Sequence, residues 1–308
     1  MLGATTLPAG ARAADWIVDG PLGRGKAARV YRCHRAGHRD HVAAIKVLSP
    51  TRDPEVLERF VQEARLLARL DHPSIVRVCD VQVRGSQPVL VMELIEGMDL
   101  RQVQRAGAMG RDPALGIALQ LARALRYAHD QGVWHRDVKP ANVVISADGR
   151  AALVDFGLAL EAGAARLTGT GYLSPATIYY APPEWIDEAD GSACRWDVYS
   201  LGLVLLELLT DERAFDLSSG DRFGRTIAGF FMRKTAAGRL DPGPSHEPRL
   251  RALVQRMTDS DPRGRISDMG EVVTALEQIL GAKAAAPEAL VRGAFDTAAP
   301  MQRGASPA

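Results

Sequence analysis

Asp137, Lys139 and Asn142 put a carboxylate, an ammonium and an amide within six residues, inside the stretch His135-Arg136-Asp137-Val138-Lys139-Pro140-Ala141-Asn142. Apolar Val143-Val144-Ile145 follows, then the turn residues Ala147-Asp148-Gly149. A second apolar run, Ala151-Ala152-Leu153-Val154, delivers Asp155-Phe156-Gly157. Short apolar runs bounded by turn residues predict a loop, a strand, a tight turn and a second strand. Such a hairpin would carry Asp137, Asn142 and Asp155 to one end of one small sheet. Three oxygen-bearing side chains with a lysine beside them suit a hard cation that carries a phosphate.

Several elements must hold these groups in place. Asp112-Pro113 is expected to open a helix carrying Leu115, Leu119, Ala122, Leu125 and His129, with Gly132 past its end. That helix would deliver the chain into the loop at His135. Far upstream, Gly23 and Gly25 lie one residue apart in Gly20-Pro21-Leu22-Gly23-Arg24-Gly25-Lys26-Ala27-Ala28-Arg29-Val30-Tyr31. Glycines so spaced let backbone N–H groups approach a phosphate. His41 to Leu48 reads as a buried strand holding Lys46, and a lysine in an apolar strand is costly unless paired. Asp53-Pro54 starts a helix by its capping oxygen and its proline, with Leu57, Phe60, Val61, Ala64, Leu67 and Ala68 at helical spacing. Glu63 sits on the edge of that stripe, where an inward carboxylate needs a cation; Lys46 is the obvious one, and Arg59 or Arg69 at the surface is the alternative. Pro88 to Gly97 reads as a further buried strand ending in a turn.

His135-Arg136-Asp137-Val138-Lys139-Pro140-Ala141-Asn142 with Asp155-Phe156-Gly157 resembles the catalytic loop and metal-binding turn of protein kinases, H-R-D-x-K-x-x-N followed by D-F-G. The glycine stretch resembles the kinase Gly-rich loop, G-x-G-x-x-G-x-V, with Ala28 in place of the third glycine. The resemblance runs in the family's order over residues 15 to 281. It implies an α+β, bilobal protein-kinase fold. A small, mostly antiparallel sheet lobe with one key helix (15–96) would be followed by a larger, mainly helical lobe (97–281). A flexible tail is expected over 1–14 and a disordered one over 282–308, where Ala, Gly and Pro dominate.

By the same resemblance the cofactors are ATP and Mg²⁺, with Mn²⁺ as an alternative, and Asn142 and Asp155 are the metal ligands. Lys46, set by Glu63, would orient the α- and β-phosphates. Asp137 would orient the acceptor hydroxyl and take its proton, and Lys139 would steady the γ-phosphoryl group. Lys139 also marks the serine/threonine branch. His135 is read as a structural core histidine. Leu22, Gly23, Gly25, Val30, Ala44, Met92, Glu93, Ile95 and Val144 would line the nucleotide pocket. Met92 would guard its back, and Glu93 and Ile95 would present backbone contacts. Leu158 to Ile178 resembles an activation segment, ending at Pro182-Pro183-Glu184 where the family has A-P-E. Thr177 matches the threonine that bonds the catalytic aspartate and lysine. Arg136 would receive a phosphate carried on Thr168, Thr170 or Ser174. Asp197 would brace the catalytic loop, and Arg265 would pair with Glu184.

The implied activity is serine/threonine protein phosphorylation, with autophosphorylation of the activation segment. The partners are protein substrates, and a transient homodimer would serve trans-autophosphorylation. A nucleotide-binding pseudokinase scaffold and a small-molecule phosphotransferase are the competing readings. Every charged catalytic position is filled, which opposes the first; Pro182-Pro183-Glu184 with Arg265 opposes the second. Arginine and lysine number 38 against 37 acidic residues, so a nucleic-acid partner is not expected. The longest strongly apolar run, Val198 to Leu209, is too short and too interrupted to span a membrane and fits a buried helix instead. The three cysteines, Cys33, Cys79 and Cys194, form neither a disulfide framework nor a metal spacing. A reducing, cytoplasmic setting is expected. The Ala-, Arg- and Gly-rich style looks like that of bacterial relatives of eukaryotic serine/threonine kinases.

Overall fold

A computed structural model describes residues 7–13, 15–24, 28–48, 53–84, 87–107, 109–156, 175–186, 193–216 and 226–303. These fall into two compact units that divide between Glu96 and Gly97.

The first unit is built on six strands: β1 (Arg12–Ala13), β2 (Trp16–Arg24), β3 (Ala28–Arg35), β4 (His38–Leu48), β5 (Val78–Arg84) and β6 (Gln87–Met92). They lie in the order β1-β2-β3-β4-β6-β5, and each neighbouring pair is antiparallel. One face buries Trp16, Val18, Tyr31, Cys33, Ile45, Val47, Val89 and Val91 in a shared core. Period-2 alternation in β3 produces this directly, since Tyr31 and Cys33 point in while their neighbours point out. Helix α1 (Pro54–Leu67) follows β4. Asp53 caps it, its side chain accepting from Glu55 N at 3.0 Å, and Pro54 fills its first position. Phe60, Ala64 and Leu67 form its buried stripe, and it packs against β5 and β6. Of the N-terminal stretch 1–14 expected to be flexible, the described residues 7–13 are tied to the sheet instead. Arg12 and Ala13 pair with Ile17 and Trp16, and Leu7 N donates to Tyr31 Oη at 3.0 Å. Ala13 is buried, and that apolar contact is what holds so short a strand.

The second unit opens with β7 (Gly97–Asp99), which joins β8 (Val143–Ser146) and β9 (Ala151–Leu153) in a three-stranded antiparallel sheet. Asp99 then caps helix α2 (Leu100–Arg105) in a reciprocal box with Gln102. Helix α3 (Arg111–Asp130) is the unit's axis, buried along most of its length from Ala114 to Ala128. It starts one residue before the expected Asp112-Pro113. Gly110 is the cap, and Asp112 is spent on Arg111 and Lys283. The helix Ala193–Thr210 is apolar nearly all round and buried to match. The helices Ile227–Ala237, Pro248–Met257 and Met269–Leu280 follow it.

Residues 282–303 correct the expectation of a disordered C-terminal tail. A short 3-10 turn, Gly281–Ala285, leads into the helix Pro287–Arg303. Its biased composition conceals a helical stripe: Pro287, Val291 and Ala298 are buried, and Leu290, Ala294 and Phe295 half-buried, at i, i+3, i+4 and i+7 spacing. That stripe packs on α3 and reaches the β8–β9 turn. Gly149 at the turn has φ 87°, and a Cβ there would sit 2.0 Å from the Glu288 carbonyl oxygen. Only glycine fits both demands.

Candidate active site

Helix α3 ends in a Schellman turn. Gly132 N donates to His129 O at 2.9 Å, and Val133 N to Ala128 O at 2.9 Å, with Gly132 at φ 72°. The turn hands the chain to the loop at His135. A single carboxylate then fixes the loop's start. Asp197, fully buried near the start of its helix, accepts from His135 N at 2.9 Å and from Arg136 N at 2.7 Å. Its Oδ2 also meets His129 Nε2 at 2.8 Å. Asp197 thus accepts from two consecutive amides of the loop, giving those N–H groups their partner. Burial opposes charge on His129, but its bond to Asp197 and its contact with Cys194 outweigh that and raise its pKa to about 9.

His135 is a neutral pillar. Burial lowers its pKa. Its Nδ1 lies 3.3 Å from Asp137 N and its Nε2 3.2 Å from Val154 O. Only the tautomer protonated on Nε2 satisfies both. Its ring rests on Phe156 with centroids 4.6 Å apart, tying the loop to the turn that follows β9. Arg136 and Asp155 both hold left-handed backbones, φ 61° and 57°, a conformation that costs a non-glycine residue roughly 1–3 kcal/mol. The Asp197 bond to Arg136 N and the Asn142–Val154 pairing are what surround them.

The loop's polar groups converge on Asp137. Its Oδ2 accepts from Lys139 Nζ at 2.5 Å and from Asn142 Nδ2 at 3.0 Å. Asn142 Nδ2 also donates to Asp137 O at 2.9 Å. Lys139 Nζ reaches on to Thr177 Oγ1 at 3.1 Å. Asn142 thus spends its NH₂ group on Asp137, so what it can offer a cation is Oδ1. Val154 N donates to Asn142 O at 2.9 Å, which places Asn142 and Asp155 at the same open end of the β8–β9 hairpin. Among the described residues no cluster of three or more His, Cys, Asp or Glu side chains could hold a metal by itself. An all-oxygen pair fits a hard cation that completes its shell with phosphate oxygens and water.

In the first unit, Lys46 stands on β4 opposite Leu90 on one side and Val30 on the other, half-buried. Glu63 is half-buried beside Ala64 on α1. Ala44 faces Met92 across the sheet, both buried. Gly23 pairs with Val30, and Leu22 is exposed. Gly25, Thr168, Thr170 and Ser174 lie outside the described residues. Glu93 N donates to Arg77 O at 2.9 Å. Ile95 is half-buried, and so is Val144 on β8 in the second unit.

The family model for the protein kinase domain matches residues 16–280. The chain belongs to the protein kinase family. It is 33% identical over 258 residues to a probable serine/threonine-protein kinase, PknB, of Lactococcus lactis, covering 82% of this chain and 40% of that one. It is 35% identical over 277 residues to the serine/threonine-protein kinase PknJ of Mycobacterium tuberculosis, covering 87% and 46%. The chain therefore spans less than half the length of these curated relatives. Among solved structures, a point mutant of the Mycobacterium tuberculosis PknI kinase domain is similar with a TM-score of 0.66 and 28% identity, covering 90% of this chain and all of that one. Rad53 in complex with AMP-PNP is similar at the same TM-score and 26% identity, covering 85% and 64%. The α+β kinase fold, with its antiparallel-sheet unit and its mainly helical unit, follows from these likenesses. Membership in the family implies use of ATP and a divalent metal. Among the described residues no helix is long and apolar enough to cross a membrane.

Kinase segments beyond the loop are held by long-range bonds. Arg265, its side chain buried, grips Glu184 with two parallel bonds, Nη1 to Oε1 at 2.6 Å and Nη2 to Oε2 at 3.0 Å. It also donates to the carbonyls of Asp259 and Arg195, and its guanidinium lies over Tyr199 at 4.7 Å. Arg136 is exposed, its guanidinium 5.9 Å from the Trp134 ring. Sequence reasoning missed three supports. Gln120 on α3 clamps the β8–β9 turn, donating to Gly149 O at 3.1 Å and accepting from Ala151 N at 2.8 Å. His129 reads from the sequence only as a helix position. Lys234 is fully buried and donates to the carbonyls of Tyr179 and Ala181 at 2.7 and 2.5 Å, with the rings of Tyr199, Phe215, Phe230 and Phe231 around it. Burial lowers its pKa. The available signal is a lysine set among Phe230, Phe231 and the flanking alanines.

Proposed function

We propose that this chain is an ATP-dependent protein kinase that transfers the γ-phosphoryl group to serine and threonine hydroxyls of proteins. The observation that carries the reading is the bonded series Thr177–Lys139–Asp137–Asn142. Asp137 Oδ2 is occupied by Lys139 and Asn142, so Oδ1 is the atom that would take the acceptor's proton. As the hydroxyl oxygen bonds to phosphorus, the bond to the β-phosphate oxygen breaks. Lys139, held between Asp137 and Thr177, would meet the charge on the transferred group. Phosphoryl transfer asks chiefly for positioning and charge neutralisation, which these groups can supply. Asn142, through Oδ1, and Asp155 would hold Mg²⁺ or Mn²⁺, which when bound offsets the negative charge of the phosphates. Lys46, set by Glu63, would act on the α- and β-phosphates. Ala44, Met92 and the backbone of Glu93 and Ile95 would meet the adenine.

Exposed Arg136 supports phosphorylation of Thr168, Thr170 or Ser174, performed between two copies in a transient dimer. A cytoplasmic setting is proposed with it. The test is Asp137→Asn. A folded protein that still binds ATP should transfer labelled phosphate at least ~10²-fold more slowly, the scale of one acid–base group. Near-normal transfer in that variant removes Asp137 from its role. Lys46→Met should likewise suppress transfer while keeping the melting temperature.

A further inference from the structure

The buried carboxylate that braces the loop has a second neighbour, and beyond it lies a thiol. His129 Nδ1 is 3.2 Å from Cys194 Sγ, while His129 Nε2 holds Asp197 at 2.8 Å. The sulfur also lies 3.3 Å from Ser267 O, as a thiol donating to that carbonyl would. Cys194 is half-buried, so small solutes can reach it. A nucleophile within hydrogen-bond reach of an imidazole that is itself oriented by a carboxylate is the arrangement that activates thiols. The imidazole is charged at neutral pH, its pKa raised to about 9. It then donates through both nitrogens, one to Asp197 and one to the sulfur.

We propose that Cys194 is an oxidative modification site: a hydroperoxide converts its thiol to a sulfenic acid, and the change reaches the loop at His135 and Arg136 through His129 and Asp197. The sulfur attacks the terminal peroxide oxygen, an S–O bond forms and the O–O bond breaks. The sulfur gives up an electron pair, the peroxide is reduced, and the departing alkoxide or hydroxide takes the thiol's proton. Thiol plus hydroperoxide gives sulfenic acid plus alcohol or water, a step that thiols reverse. The added oxygen occupies the space between Sγ and its two neighbours and displaces the bond from His129 Nδ1. His129 is one of three donors on Asp197, whose other two are the loop amides. The effect on transfer rests on the proposed kinase activity; the modification itself does not.

The other cysteines are internal controls. Cys79 is exposed, 3.9 Å from the Arg77 carbonyl. Cys33 is buried, and burial pushes its thiol up to about 12. The experiment treats the full chain with hydrogen peroxide and dimedone and follows adducts at each cysteine by mass spectrometry. Cys194 should be trapped at least about tenfold faster than the more exposed Cys79, and Cys33 slowest. In His129→Gln the Cys194 rate should fall to that of Cys79. In parallel without dimedone, phosphoryl transfer should fall about tenfold as the sulfenic acid forms, the scale of one charge-assisted hydrogen bond. It should return on adding a thiol, and Cys194→Ser should keep the untreated rate under peroxide. Equal trapping of Cys194 and Cys79 overturns the site, and full occupancy at Cys194 with unchanged transfer overturns the route to the loop. A chain without transfer activity before treatment refutes the kinase reading alone, and the adduct ranking still decides the site.

Discussion

His129 should make the protein lose stability as pH rises from near neutral to 9. Its side chain is 9% exposed, and it is paired with a carboxylate that has no exposure at all. Burial by itself would disfavour the charged ring, yet the bonds to Asp197 and Cys194 win, and its pKa rises from 6.5 to about 9. A group whose pKa is raised by folding contributes in full below its unfolded value, and the contribution disappears as pH climbs through the folded value. The interval from 6.5 to about 9, at roughly 1.4 kcal/mol per pH unit, amounts to about 3 kcal/mol. That is a large share of the roughly 5–15 kcal/mol that holds a domain together. His135 works with the opposite sign. Its pKa is lowered by burial, so its neutral ring favours the fold above pH ~6.5, and that advantage is lost as pH falls below. Together they predict a maximum near the unfolded histidine pKa. Urea unfolding between pH 5.5 and 9.5 measures this, with His129→Gln as the comparison. The wild-type curve should fall on the alkaline side and the variant's should be nearly flat there. An alkaline decline of the same size in both proteins would refute the argument.

Arg265→Met should cost about 3–5 kcal/mol in chemical denaturation, because Glu184 loses both parallel bonds where it is only 16% exposed. Arg265→Lys should recover part of that, since an ammonium cannot reproduce the two-pronged grip; a neutral Arg265→Met would remove the pair from the structural account. Lys234→Met leaves the carbonyls of Tyr179 and Ala181 without their donor, at about 1–3 kcal/mol each. These carbonyls close the short helix that carries Thr177, so the KM for a peptide substrate should rise more than that for ATP, and an equal change in both would contradict the link. Gly149→Ala forces a Cβ toward the Glu288 carbonyl and a side chain onto a φ of 87°, for about 1–3 kcal/mol. Limited proteolysis should then release the C-terminal helix first, and wild-type protection would show that the turn does not hold that helix in place.

The loop from His135 to Asn142 and the turn at Asp155 are legible because their chemistry needs several groups close together in space, and a hairpin places them close in sequence too. Run lengths and turn residues set the strands, and strand direction does the rest. Support from a distance leaves a fainter trace. Asp197 is singled out by the family resemblance, but that its partners are amides some sixty positions earlier follows only from the packing of α3 against the helix Ala193–Thr210. Lys234 reads as a solvated lysine, the usual state of that side chain, until four rings and two carbonyls close around it. The strand β7 is three residues long and has no periodicity to detect.

The C-terminal helix shows why an average over composition misleads. Alanine, glycine and proline leave residues 282–308 poor in large apolar side chains, which argues for disorder only if burial must come from large side chains. Here it does not. Val291 and Ala298 settle against α3 because small residues bring two backbones close, and close backbones gain dispersion from many atoms at once. The signal is in the spacing of a few modest residues rather than in their sum. The same helix lies outside the matched kinase segment, which ends at residue 280, yet it presses on the turn that joins β8 to β9. A contact at that turn bears on Asn142 and Asp155, the residues at the hairpin's other end, because β8 and β9 join the two ends directly. Gln120 holds it from α3 and the Glu288 carbonyl crowds it from the C-terminal helix. The segment that composition would discard is thus a second wall behind the residues proposed to carry the chemistry.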